Sequence, residues 1–136
     1  MPKITASYTG ELRTTAEHIK SGDTLITDAP TDNNGRGEAF SPTDLVATGA
    51  LTCMITMMGI IASKNDIQMG DVDGEVEKVM ASQPRRISHL NILLNFANHN
   101  LNDTEKTLLE STALSCPVTR SLHPDIIVNV KFNYLG

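Results

Sequence analysis

"SPTDLVATGALTCMITMMG", residues 41–59, is the stretch whose reading decides the fold. Ser41 is a good helix N-cap, Pro42 suits the first helical position, and Asp44 sits where a capping-box carboxylate reaches back. Past this opening, apolar residues from Leu45 to Ile61 occupy almost every side of the helix. A helix that is apolar all round is enclosed on all sides. The chain has 136 residues, most simply one domain over 1–136. A domain of that size has trouble surrounding one helix completely. A second subunit is therefore expected to supply part of the cover, giving a tightly packed or intertwined homodimer.

Outward from the helix, the pattern changes from helical to alternating. Upstream, "KITASYT" (3–9), "ELRTTAEH" (11–18) and "DTLITDA" (23–29) read as three short strands. A polar, Gly-rich loop, "PTDNNGRGEAF" (30–40), leads from them into the helix. Downstream, "VDGEVEKVM" (72–80) and "ISHLNILLNF" (87–96) read as a strand pair joined across "ASQPRR" (81–86). In the second of these Leu90, Ile92, Leu94 and Phe96 alternate with polar or smaller residues, which predicts one buried face. Helix returns at "NDTEKTLLESTALS" (102–115), capped by Asn102 or Asp103. A short helix can follow from Pro117, and "DIIVNVKFNY" (125–134) closes as a strand with Val128, Val130, Phe132 and Tyr134 on one face. Three strands, helix, two strands, helix, strand is an α+β order.

Composition narrows the function. The formal charge of −5 argues against a nucleic-acid partner, which usually calls for a basic surface. The apolar stretch 45–62 is interrupted by Thr48, Gly49, Thr52 and Thr56, so a core helix is expected and no membrane partner. "MPKITASYTG" begins at once with alternation and carries no basic-then-apolar leader. Two cysteines without a secretory leader fit a reducing cytoplasm, where paired thiols are more often chemical than structural. The four histidines, at 18, 89, 99 and 123, show no ligand spacing, and no GK[ST] follows "DNNGRG". No metal or cofactor is expected.

Cys53 stands near the middle of the apolar helix. Free cysteine behaves as a small hydrophobe, so an inert core residue is one reading and a chemical thiol the other. Cys116 precedes Pro117, which discourages helical geometry at 116 and can itself open a helix. A thiol there sits at a helix N-terminus, where free N–H groups and the dipole favour a thiolate. A break between helices that happens to hold a cysteine is the alternative.

Together, "SPTDLVATGALTC" (41–53) and "LSCPVTRSLHPDIIVNVKFNY" (114–134) resemble the OsmC/Ohr family, the osmotically inducible and organic hydroperoxide resistance proteins. The resemblance spans nearly the whole chain. It implies an OsmC-like fold, with antiparallel sheets packed around a long central helix in an intertwined homodimer. Thiol-dependent reduction of hydroperoxides at the subunit interface is the implied activity, with Cys53 peroxidatic and Cys116 resolving. Such chemistry needs a thiolate to attack the O–O bond and a second thiol to trap the sulfenic acid as a disulfide. An external dithiol then restores both thiols.

A positive group must hold the attacking thiolate against burial, and arginine can also bond the leaving oxygen. Arg13 matches the position of the catalytic arginine in the organic-hydroperoxide branch and is preferred. Arg36 lies closer to where the osmotically inducible branch carries its own. The organic-hydroperoxide branch also has a glutamate two residues before the helix-motif leucine, where this chain has Thr43, and the acid here is Asp44. Nine residues along one helix put Asp44 and Cys53 about 13 Å apart on opposite sides, so Asp44 either caps its helix or serves a site across a dimer interface. Two rival functions stand beside peroxide reduction. One is a non-catalytic protein of the same fold binding a small apolar ligand or partner; the other is a redox sensor whose disulfide signals.

Overall fold

The structure, a computed structural model, describes residues 3–136. The chain forms two compact units, Met1–Val46 and Ala47–Gly136, with the division falling inside the long helix. All the strands and helices expected above are present.

The first unit is a three-stranded antiparallel sheet in the order β1-β2-β3, with β1 at Ile4–Gly10, β2 at Arg13–His18 and β3 at Asp23–Asp28. At the first hairpin Glu11 and Leu12 both take positive φ, 54° and 64°. Paired left-handed residues match the twist of a two-residue hairpin, but the usual occupants are Asn and Gly. Tertiary bonds hold this unusual pair: Leu12 N–H donates to the Tyr8 hydroxyl, and Leu12 C=O accepts from Ala29 N–H. Register then sets Arg13 opposite Asp28 across β2 and β3. After β3 the chain makes a 3-10 turn at Thr31–Asn33 and folds back on the strand end. Gly35 lies so close to the Ala29 backbone that no side chain would fit there. That return places Glu38 N–H 3.1 Å from the Asp28 carboxylate.

Helix α1 runs Pro42–Lys64 and opens with the expected capping box. Ser41 N–H donates to Asp44 Oδ2 at 2.9 Å, and Asp44 N–H donates to Ser41 Oγ at 3.1 Å. Two otherwise orphaned donors of the helix start are thus satisfied by each other's side chains.

In the second unit α1 packs on a sheet of β4 (Asp71–Ala81), β5 (Arg86–Ala97) and β6 (Ile127–Tyr134), in that order. β4 and β5 are antiparallel, whereas β5 and β6 run parallel, so this sheet is mixed. A parallel neighbour needs a crossover, and α2 (Asp103–Leu114) with α3 (Pro117–Arg120) supplies it. The core is a stripe of α1, from Ala47 through Ala50, Met54 and Met58 to Ala62, set against Leu90, Ile92, Leu94 and Phe96 of β5. Each large side chain so buried contributes roughly 1.5–3 kcal/mol. Gly74 on β4 makes the approach close: a Cβ there would stand 2.7 Å from Leu51 Cδ1 and 3.3 Å from Ile55 Cδ1.

One stripe of α1 is therefore covered within the chain, while Thr52, Thr56 and Ile60 remain exposed. The helix is long and apolar enough to cross a membrane by length and composition alone. Its packed stripe on β5 is that of a core helix.

Candidate active site

The structure brings the candidate residues together in two groups, one within each unit. In the second unit the two free thiols meet. Cys53, on α1, is half-buried, and Cys116 is fully buried at 0% exposure. This ordering differs from the sequence reading, which placed Cys53 in the more enclosed setting. The difference is geometric: Cys53 lies off the covered stripe of α1, whereas Cys116 packs into the core between α2 and α3.

Cys116 is the N-cap of α3, with extended backbone angles of −66° and 144° set by Pro117. Thr119 surrounds its sulfur. Thr119 N–H donates to Cys116 Sγ at 3.4 Å, and Thr119 Oγ1 lies 3.2 Å from the same sulfur. The hydroxyl also reaches the Cys116 carbonyl at 3.1 Å.

Burial pushes the Cys53 thiol above its ordinary pKa, because the charged form loses solvation. The backbone N–H of Val118 opposes that shift by donating to Cys53, and the neighbouring Cys116 adds to it. Val118 also packs near Gly49 on α1, the position one helical turn before Cys53. The start of α3 thus offers a backbone donor to one thiol and a cap to the other. Nucleophilic attack by Cys53 at neutral pH needs a further positive group to offset its burial.

The first unit holds a separate charged cluster around Arg13. Arg13 Nε meets Asp28 Oδ1 at 2.7 Å and Arg13 Nη2 meets Asp28 Oδ2 at 2.8 Å, a two-point ion pair. Glu38 Oε1 accepts from the same Nη2 at 3.3 Å. Asp28 is fully buried, and the Arg13 guanidinium holds its carboxyl below the usual carboxylate range, against the opposing effect of burial. Reciprocally, the Asp28 bond raises the Arg13 pKa. Both carboxylates use Nε and Nη2, so among the described residues no hydrogen bond engages Nη1. Arg36 is committed elsewhere, paired with Glu11 of the hairpin. Asp44 serves the capping box.

Asp28, Glu38 and Thr119 were not singled out from the sequence. Asp28 had a usable signal: pairing "RTTAEH" with "DTLITD" about the turn at 19–22 sets Arg13 across from Asp28. Among the described residues, no group of three or more His, Cys, Asp or Glu side chains could hold a metal ion.

The sequence model of the OsmC-like protein family matches residues 35–131, a span that includes both cysteines. The chain belongs to the OsmC-like family. Among solved structures it is similar to a protein of Psychrobacter arcticus 273-4, described provisionally as an osmotic stress induced and detoxification response protein. That likeness is 47% identical over 98% of this chain and 96% of the other, with a TM-score of 0.92. The OsmC-like protein of Mycoplasma pneumoniae is 17% identical over 100% and 98%, with a TM-score of 0.82. An organic hydroperoxide resistance protein of Legionella pneumophila is 21% identical over 98% and 96%, with a TM-score of 0.74. These last two share the OsmC-like fold at identities that speak to fold alone. No curated protein matches this sequence.

Proposed function

We propose that this OsmC-like protein defends against oxidative stress by reducing organic hydroperoxides with Cys53 and Cys116. The observation that carries this reading is that two free thiols are neighbours, one half-buried and one sealed in the core. Cys53 thiolate attacks one peroxide oxygen, the O–O bond breaks, and the alkoxide leaves to become an alcohol on protonation. Cys116 then attacks the sulfenic sulfur of Cys53, and the S–O bond breaks to release water as the disulfide forms. An external dithiol reduces that disulfide by exchange. Arg13 is the candidate for the positive charge that such a thiolate needs. Half-exposure suits Cys53 to the step that meets substrate, and burial suits Cys116 to the step that does not.

The assembly is a homodimer acting in the cytoplasm as a single-domain protomer over 1–136. An open apolar row supports it: Ile4 and Tyr8 on β1 are 73% and 67% exposed, and Leu25 on the same face is 44% exposed. Aliphatic neighbours of Cys53 such as Met54, Met57 and Val118 favour an organic peroxide over hydrogen peroxide.

Titration of the reduced protein with one equivalent of tert-butyl hydroperoxide tests the reading. Mass spectrometry is expected to find one intramolecular Cys53–Cys116 disulfide and one equivalent of alcohol. Two unmodified thiols after exposure would overturn it in favour of the ligand-binding alternative.

A further inference from the structure

The hydrogen bonds around Cys116 form a closed relay through one side chain. Thr119 Oγ1 stands 3.2 Å from Cys116 Sγ and 3.1 Å from the Cys116 carbonyl oxygen. A hydroxyl has one proton to give and lone pairs to receive. While Cys116 is a thiol, its S–H donates to Oγ1 and the Thr119 hydroxyl donates to the carbonyl. Once the thiol loses its proton, the same hydroxyl can rotate and donate to sulfur. The carbonyl does not go unsatisfied, because Arg120 N–H already donates to it at 3.2 Å. Thr119 N–H stays on sulfur in both states, at 3.4 Å.

This matters because Cys116 is fully buried. A buried thiolate has no water to solvate it, and each charge-assisted donor it gains favours the ionised form. We propose that Thr119 is the positioning residue of the resolving step: its hydroxyl bonds the Cys116 carbonyl at rest and turns to donate to the sulfur as that sulfur attacks oxidised Cys53. The inference rests on the peroxidase reading above and deepens it. The step balances without any further reagent. The Cys116 proton joins the departing sulfenic oxygen and its hydrogen as water, the S–S bond replaces the S–O and S–H bonds, and Thr119 keeps its own proton throughout. A resolving thiol held this way also limits how long Cys53 stays a sulfenic acid, and so how far it passes to the irreversible sulfinic state.

The test separates the two phases of oxidation in the full-length protein. Reduced protein is mixed with tert-butyl hydroperoxide, and sulfenic acid and disulfide are followed by dimedone trapping and mass spectrometry. Thr119→Val keeps the shape and removes the hydroxyl. The first phase is expected at the wild-type rate and the disulfide phase about tenfold slower, the size of one hydrogen bond to a charged group. Sulfinic Cys53 should accumulate at peroxide concentrations that leave the wild type intact. Thr119→Ser restores the hydroxyl and should restore the disulfide phase. Thr119→Ala should behave as Thr119→Val, which covers the case of a valine that does not pack. A wild-type disulfide phase in Thr119→Val or Thr119→Ala overturns the inference, and so does a Thr119→Ser as slow as either of them. If wild-type protein forms sulfenic acid and disulfide but the variants do not differ, only the role of Thr119 falls. If wild-type thiols do not react at all, the peroxidase reading falls and this inference with it.

Discussion

Arg13 and Asp28 face each other across β2 and β3 and join through two parallel hydrogen bonds, Nε to Oδ1 and Nη2 to Oδ2. The fork geometry fixes the plane of the guanidinium as well as its position. Where the organic-hydroperoxide pattern draws its carboxylate from the helix start, this chain has Thr43, and Asp44 is taken up in the capping box. The carboxylate that pairs with Arg13 comes from strand β3.

Asp28→Asn should therefore destabilise the protein at neutral pH, because a buried neutral amide replaces one partner of the ion pair. The pH dependence follows from the sign of the shift. The Asp28 pKa is lowered in the folded state from an ordinary 3.8, so its contribution is present above that value and lost as pH falls through the folded one. Urea midpoints for wild type and Asp28→Asn should differ most at neutral pH and converge in acid. Parallel curves at all pH values would contradict the assignment.

The two arginines should separate by function. Arg13→Ala is expected to slow Cys53 oxidation on the order of 100-fold at neutral pH, as for loss of a charge-stabilising donor. The loss should shrink at high pH, where the thiol ionises unaided. Arg36 pairs with Glu11 at the hairpin, so Arg36→Ala should leave the rate within about twofold, as exposed ion pairs contribute little. Stopped-flow rates of tert-butyl hydroperoxide consumption across pH distinguish them, and equal losses would mean that Arg13 has been misassigned.

Much of this arrangement was legible in the sequence, for identifiable reasons. Local signals gave the elements: Ser41-Pro42 and Asp44 marked the start of α1, alternation from Leu90 to Phe96 marked the buried strand, and Cys116-Pro117 marked the start of α3. What escaped depends on distance. The parallel pairing of β5 and β6 rests on where the crossover through α2 returns the chain, which strand periodicity does not encode. The relative burial of the two cysteines depends on which stripe of an all-round apolar helix meets the sheet. Thr119 looked like any polar helix residue until its turn of α3 placed it over the sulfur.

At the far end of β6, Tyr134 donates to Glu110 Oε2 of α2 at 2.7 Å and stacks on Phe96 at 4.8 Å between ring centroids. Burial first, then the Glu110 bond, raises the tyrosine pKa. A raised folded pKa means its contribution is full below the ordinary value of 10.0 and declines as pH climbs above it. Tyr134→Phe should cost about 1 kcal/mol at neutral pH and flatten the alkaline loss of stability. Denaturant titrations at neutral and alkaline pH check both parts.

Assembly gives a further expectation. With Ile4 and Tyr8 open on the first sheet and Thr52, Thr56 and Ile60 open on α1, the folded chain should be a dimer that does not dissociate before unfolding. Its thermal midpoint should rise with protein concentration. Light scattering showing a folded monomer at micromolar concentration would refute this.

The order of chemistry between the thiols is the sharpest expectation. Cys53 is half-exposed, receives the Val118 N–H and lies among methionine and aliphatic side chains able to hold an alkyl group. Cys116 has no exposed surface and its sulfur is already engaged by Thr119. Peroxide should therefore reach Cys53 first, and Cys116 should meet only the sulfenic sulfur beside it. Cys53→Ser is expected to consume no hydroperoxide above background. Cys116→Ser should consume about one equivalent rapidly to give the Cys53 sulfenic acid, then a second equivalent slowly as that acid passes to sulfinic acid with no thiol to resolve it, without catalytic turnover. Dimedone should label Cys116→Ser after a single equivalent and fail to label Cys53→Ser. The reverse pattern, an inert Cys116→Ser and a labelled Cys53→Ser, would exchange the two roles and require the buried sulfur to open to solvent before it reacts.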